Sequence, residues 1–157
     1  MTAPTPSSST VDRPDDLLGF VGQTLGVSGW REVTQPEVDM FAKATGDEQW
    51  IHVDVERART GPFGGTIAHG YMTLALIAPL LDEVLTVRNL GMGVNYGLNK
   101  ARFPAPVLVG SRVRLTADVV SADQLTGGVQ ILASITIERD GGDKPVCVAE
   151  AVLRYYD

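Results

Sequence analysis

The chain reads as an α+β protein in which a curved antiparallel sheet wraps one long helix. Two patterns carry that reading. From Tyr71 to Leu81 there is no charge and a single polar residue, Thr73. Apolar groups then fall at every angle of a helix rather than on one stripe, so the helix must be covered on all sides. Eleven residues are too few to cross a bilayer, which takes about 20. The other option, a pair of buried strands, suits neither the length nor the Ala, Leu and Met content. The second pattern is alternation in the C-terminal half. Val113, Leu115, Ala117 and Val119 alternate with Arg112, Arg114, Thr116 and Asp118. Val129, Ile131, Ala133, Ile135 and Ile137 repeat it, and so do Cys147, Ala149, Ala151, Leu153 and Tyr155. With Met92, Val94, Tyr96 and Leu98 these make a meander of about four half-buried strands, which must curl to cover the helix.

In chain order, MTAPTPSSSTVDRPDD is rich in Pro, Ser and Thr and lacks the apolar run of a secretory signal. Residues 1–16 are therefore expected to be a flexible tail, and residues 17–157 one domain. Gly22 to Val33 suits a short strand or extended arm. Thr34-Gln35-Pro36-Glu37 fits a capping box, with Val38, Phe41 and Ala42 following at helical spacing. Gly46 then stands at the C′ position, where a positive φ ends a helix. The loop Gly46 to His52, a short helix within Val53 to Arg59, and the turn-rich Thr60 to Gly65 lead to the central helix, Gly65–Leu85. Pro79 inside it should kink the helix or loosen one turn. Gly127-Gly128 and Asp140-Gly141-Gly142-Asp143 supply the later turns.

Composition narrows the function. Net charge is −6 and the isoelectric point about 4.8, with no basic run. Binding to nucleic acid or to an anionic membrane surface through bulk charge is not expected. The lone Cys147 excludes an internal disulfide and a cysteine metal cluster and suits the cytoplasm.

The chain has two histidines, His52 and His69, and Asp47 precedes the first by five residues. A carboxylate and an imidazole brought together can hold one water and move protons in both directions near neutrality. That equipment adds water to, or removes it from, a carbon–carbon double bond. Asp47 can instead close an Asx-turn after Gly46, and His69 can cap or pack against the helix start. A metal held by Asp47, His52 and Asp54 lacks a further histidine or cysteine behind it, and none is expected. The helix start matters separately. Its unpaired N–H groups favour negative charge and would stabilise a thioester carbonyl becoming an enolate. Gly70 would let a substrate come close to the backbone; alternatively Gly64, Gly65 and Gly70 only permit tight packing.

The run Phe41 to Asp54, FAKATGDEQWIHVD, followed by Gly61 to Gly70, GPFGGTIAHG, resembles the MaoC-like (R)-specific enoyl-CoA hydratases. Asn99 to Val107 and Val109-Gly110 look like that family's segment after the core helix. The likeness runs from about Leu17 to the C-terminus and is to the branch with nodulation-protein-N-like proteins and mycobacterial 3-hydroxyacyl-thioester dehydratases. The resemblance implies a hot-dog fold, a homodimer whose sheets join, and an acyl-CoA substrate with no cofactor. It implies reversible hydration of a trans-2-enoyl-CoA to an (R)-3-hydroxyacyl-CoA. Asp47 and His52 match the family's catalytic pair, with the Gly70 N–H as oxyanion donor. Gln49, Trp50, Phe63, Gly65 and His69 are candidates to line the substrate. Many members carry Asn-Pro where this chain has Gln49-Trp50, which removes a rigid φ and adds bulk. An acyl-CoA thioesterase with a helix carboxylate is disfavoured, because the central helix holds no acid before Asp82 and Glu83. A non-catalytic acyl-thioester binder would not need both Asp47 and His52. Lys100, Arg102, Arg112 and Arg114 could meet the CoA phosphates or form an ordinary solvated face.

Overall fold

A computed structural model describes residues 4–157. The sheet contains β2 (Thr24–Val27), β5 (Met92–Arg102), β6 (Arg112–Leu125), β7 (Gly128–Arg139) and β8 (Cys147–Tyr156), in the spatial order β2-β6-β7-β8-β5, all antiparallel. A short β3 (Arg31–Glu32) pairs with the start of β6. The alternating residues of β6, β7 and β8 point the same way. Leu115 lies opposite Ile137, Ala117 opposite Ile135, Ile135 opposite Ala149 and Ile131 opposite Leu153. All are buried against Leu80 and Val84 of the central helix and Leu17 of the N-terminal segment. Burying each Leu or Ile contributes about 1.5–3 kcal/mol. The result is the hot-dog arrangement, a curved sheet wrapped around a helix.

The meander is corrected in one respect. β6, β7 and β8 are successive neighbours, but β5 lies beyond β8 rather than beside β6. Alternation reports which face a residue takes and carries no information about which strand lies next to which. Of the four apolar residues read as half-buried in β5, Val94 is so, whereas Met92, Tyr96 and Leu98 are 54%, 58% and 46% exposed.

The central helix is two helices, α4 (Gly70–Ala75) and α5 (Ile77–Val84), joined at Leu76. Pro79 accounts for the break. It has no N–H to give the Ala75 carbonyl, and its ring crowds that carbonyl, so the ladder is interrupted between them. Nor is the helix covered on every side. Tyr71, Ala75, Pro79 and Asp82 form an exposed stripe, with Tyr71 73% exposed. Among the described residues no helix is long and apolar enough to cross a membrane.

The tail expectation is also corrected, while residues 1–3 lie outside the described residues. Ser7 and Val27 exchange backbone hydrogen bonds of 2.8 and 2.9 Å. β1 (Ser9–Val11) pairs in parallel with β4 (Leu85–Val87), and a 3₁₀ helix follows over Pro14–Phe20. The Asp12 carboxylate meets Arg88 Nη1 at 2.7 Å. The segment is too polar to build a core of its own, but Val11 and Pro14 are buried in the core of the rest. Gly26 records how close this strap lies, since a Cβ there would fall 2.2 Å from the Ser7 carbonyl oxygen. Gly26→Ala should break both Ser7–Val27 bonds and lower stability by about 1–3 kcal/mol. Thermal denaturation would read that as a lower Tm, and an unchanged Tm would mean that the strap is not seated in solution.

Candidate active site

The site begins with a helix and its stop. In α1 (Gln35–Thr45) the Glu37 carboxylate accepts from the Thr34 N–H at 2.9 Å, closing the expected capping box. That bond, with help from Arg31, holds the Glu37 carboxyl below its ordinary range. At the other end Gly46 takes φ +80 and its N–H closes on the Ala42 carbonyl at 2.8 Å. Asp47 therefore leaves the helix at a defined point with its side chain exposed.

Rather than ending a loop, His52 lies in a single helical turn, α2 (Trp50–Val53), and α3 (Val55–Arg59) follows. The residue is only 6% exposed. Its Nδ1 lies 2.7 Å from the Ile67 carbonyl oxygen. A carbonyl only accepts, so Nδ1 carries the hydrogen and the neutral ring keeps its lone pair on Nε2. Burial lowers the His52 pKa, and neighbouring His69 adds to that, while the Ile67 bond and the Asp47 charge oppose it. The imidazole is thus neutral at pH 7.

His69, at the N-cap of α4, is 2% exposed. Its Nε2 lies 2.8 Å from the Asp47 backbone carbonyl, to which it donates, and its ring stacks on His52 with centroids 3.7 Å apart. Phe41 closes the far side at 4.9 Å. His69 Nδ1 is left buried without a hydrogen-bond partner among the described residues. A carboxylate oxygen of Asp47 and one ring nitrogen of each histidine lie within 4.8 Å of one another. One water donating two bonds of about 2.8 Å spans acceptors about 4.4 Å apart, so the gap is on the scale of a single water. The same three residues are the candidates for a metal, but they fit one poorly. Stacked rings with planes 24° apart send their in-plane lone pairs side by side, whereas tetrahedral zinc needs them to converge. Asp54 is committed elsewhere, capping α3 through Arg57 N at 3.0 Å.

Gly70 follows directly as the first residue of α4. A cleft of about 260 Å³ beside it is lined by Phe63, Gly70, Thr73, Phe103 and Val107. A Cβ on Gly70 would sit 2.8 Å from Phe103 Cδ2, so the glycine makes room for that ring. Phe103 has no periodic signal in the sequence, where Phe103-Pro104 reads only as the end of a strand. Gly65 is half-buried near Leu108 and does not line this cleft, and Gln49 is the exposed N-cap of α2. Trp50 packs on Gly61 and lies under the Arg57 guanidinium at 4.2 Å. Arg112 and Arg114 pair with Asp140 and Glu138, and Arg114 is 4% exposed. Of the four basic residues considered for the CoA phosphates, those two are thereby engaged, and Lys100 and Arg102 on β5 remain.

A hot-dog sheet, with a carboxylate and an imidazole grouped at the first turn of its helix, defines a protein of the hot-dog hydratase class. The chain belongs to the MaoC-like family: the MaoC like domain matches residues 18–138. It is 54% identical over 147 residues to 3-hydroxyacyl-thioester dehydratase Z of Mycobacterium tuberculosis, covering 93% of this chain and 97% of that one. It is 42% identical over 138 residues to nodulation protein N of Rhizobium leguminosarum bv. viciae, covering 85% of each. Among solved structures, the unliganded R-hydratase of Pseudomonas aeruginosa superposes with a TM-score of 0.71 at 25% identity, covering 87% of this chain and 82% of that one.

Proposed function

We propose that this single MaoC-like domain is an (R)-specific enoyl-CoA hydratase, or 3-hydroxyacyl-thioester dehydratase, working as a homodimer in the cytoplasm. The observation that supports the reading is the grouping of Asp47 and His52, with atoms within 4.8 Å of each other and on the scale of one bridging water, beside the first turn of α4. Asp47 acts as the water-holding base and His52 as its proton-exchanging partner. Two acceptors hold the water by its hydrogens and leave its oxygen lone pair free to attack C3 of the enoyl group. One proton leaves the attacking water and one is delivered to C2, so the double bond is consumed and no net proton is released. Negative charge passes to the thioester oxygen during attack, and the Gly70 N–H is the donor proposed to meet it. His69 and Phe63 are proposed to border the substrate, with Gly65 and Gln49 at the approach; Lys100 and Arg102 are the candidates for the CoA phosphates. The dehydratase name and the R-hydratase likeness support the same reaction class.

The dimer is supported by what a single chain leaves uncovered. β5 is an edge strand bearing Met92, Tyr96 and Leu98, and Tyr71 stands beside it on the exposed stripe of α4. An apolar trough of about 260 Å³ between them is lined by Leu74, Ile77, Ala78, Leu98 and Leu153. Pairing β5 with its copy across a twofold axis would extend the sheet and cover the trough.

Incubation with crotonyl-CoA tests the reaction. Loss of the enoyl-thioester absorbance without thiol release, unaffected by chelators, is the expected result. Thiol release without hydration would establish a thioesterase, and neither, over several chain lengths, a binder. The pH dependence should follow His52. Burial depresses its folded pKa below the ordinary 6.5, so the neutral form needed for exchange persists below that value. The acidic limb of kcat/KM should therefore lie below pH 6.5, in a window shaped also by Asp47 and His69, the titratable groups facing the ring. Stability carries the same sign. Protonation favours the unfolded chain, so the contribution of neutral His52 is complete above pH 6.5 and declines as pH falls toward its folded pKa. A limb above pH 6.5 would contradict the assignment.

A further inference from the structure

We propose that Gln35 and Thr66 are positioning residues that fix the heading and tautomer of the His52 imidazole, an inference that rests on the hydratase reading for its catalytic consequence. Neither residue touches the water site. Gln35 stands at the first position of α1, and its side-chain amide makes three bonds. Nε2 donates to the His52 backbone carbonyl at 2.8 Å and to Asp39 Oδ1 at 2.8 Å. Oε1 accepts from the Thr66 hydroxyl at 2.6 Å. The amide has one workable orientation, because both partners of the nitrogen are oxygens that only accept. Thr66, itself 6% exposed, precedes Ile67, whose carbonyl receives the His52 Nδ1–H and whose N–H donates to the Ile51 carbonyl at 3.0 Å. The contacts close a ring: His52 carbonyl, Gln35, Thr66, Ile67, and back to the His52 imidazole.

Such a brace is needed where it occurs. α2 is four residues long, too short to hold itself. A histidine ring also turns easily about its last bond. If the Ile67 carbonyl moves, Nδ1 loses the acceptor that keeps its hydrogen in place, and the lone pair is no longer confined to Nε2. Gln35 holds the backbone of His52 and the Thr66–Ile67 segment that binds its ring at a common distance. Because Gln35 starts the helix whose glycine stop Asp47 follows, the brace ties both members of the pair to one element.

Three variants test this. Thr66→Val removes the hydroxyl at nearly constant shape, Gln35→Leu removes all three bonds, and Thr66→Ser restores the hydroxyl. The first two should lower kcat on crotonyl-CoA by roughly 10- to 100-fold, the scale for small misplacements of a reacting group. KM should change by less than about threefold, and Thr66→Ser should lie within about twofold of the parent. With only two histidines in the chain, long-range imidazole nitrogen–proton NMR resolves the His52 ring. A single Nδ1–H tautomer is expected in the parent and a mixture in Thr66→Val. Should Gln35→Leu not fold, Thr66→Val and Thr66→Ser decide alone. Unchanged kcat with an unchanged tautomer would overturn the proposal, as would a loss of activity that Thr66→Ser shares or that leaves the tautomer intact. A parent protein that does not hydrate enoyl-CoA would sink the hydratase reading instead, and the tautomer would still report on the brace.

Discussion

Asp47→Asn is expected to lower kcat by at least ~10²-fold, the lower range for general acid–base groups, with little change in the fold. The substitution keeps the shape of the side chain but replaces an acceptor oxygen with a donor. The remaining amide oxygen can still accept from the water, but it takes up no proton near neutrality, and the negative charge that draws the proton is gone. Because the Asp47 side chain is exposed, the circular dichroism spectrum and Tm should be those of the parent. His52→Gln should cost a similar factor in kcat by a different route. Glutamine can still reach the Ile67 carbonyl, but it cannot take a proton near neutrality. This side chain is buried and stacked on His69, so some loss of Tm is expected as well. Crotonyl-CoA turnover measures both, and near-parent rates in the two variants would remove the pair from the mechanism.

The second large effect is expected at Leu98→Asp. Leu98 is 46% exposed in the single chain and lines the apolar trough against α4 and α5. If a second copy covers that trough, the new carboxylate is buried without a partner, at a cost of several kcal/mol. Each 1.4 kcal/mol is about a factor of ten in Kd, so the dimer should weaken by about three orders of magnitude. Sedimentation should show the parent at twice the 16.8 kDa chain mass and the variant at the chain mass. A parent that sediments as a monomer would refute the proposed dimer. A dimeric variant would place the contact on another face.

What could be read beforehand follows from which forces act locally. The inward residues of β6, β7 and β8 share one core, so their period survives in the sequence and the strands were legible. β5 starts with the same alternation, but two register shifts against β8 interrupt it and Met92, Tyr96 and Leu98 stay exposed, and its place beyond β8 is a matter of chain topology. The N-terminal strap was hidden for a related reason: its few apolar residues are buried in a core built by others, and composition judges only what a segment can bury by itself. At the site, Asp47 was legible because a capping box and a glycine stop fix both ends of α1. Pro79 announced the break in the central helix, though three residues after the point where it occurs. His69 was legible at the helix start, but its stacking on His52 and the place of Phe103 beside Gly70 were not, since both arise from contacts across more than 15 residues. Gln35 looked like an ordinary first-turn residue, because a side chain that bridges three segments leaves no pattern in any of them.

One consequence concerns α1. Its start is anchored by Thr34 and Glu37, and its end by Gly46, with the reacting carboxylate immediately after. The helix is therefore a ruler. Each residue advances it about 1.5 Å and turns it about 100°, so losing or gaining one residue between the anchors would swing Asp47 away from His52 while leaving every side chain of the site intact. Substitutions at the exposed positions of α1 leave that spacing intact; changes of length do not. The spacing from Thr34 to Asp47 is as much a part of the machinery as the residues at either end.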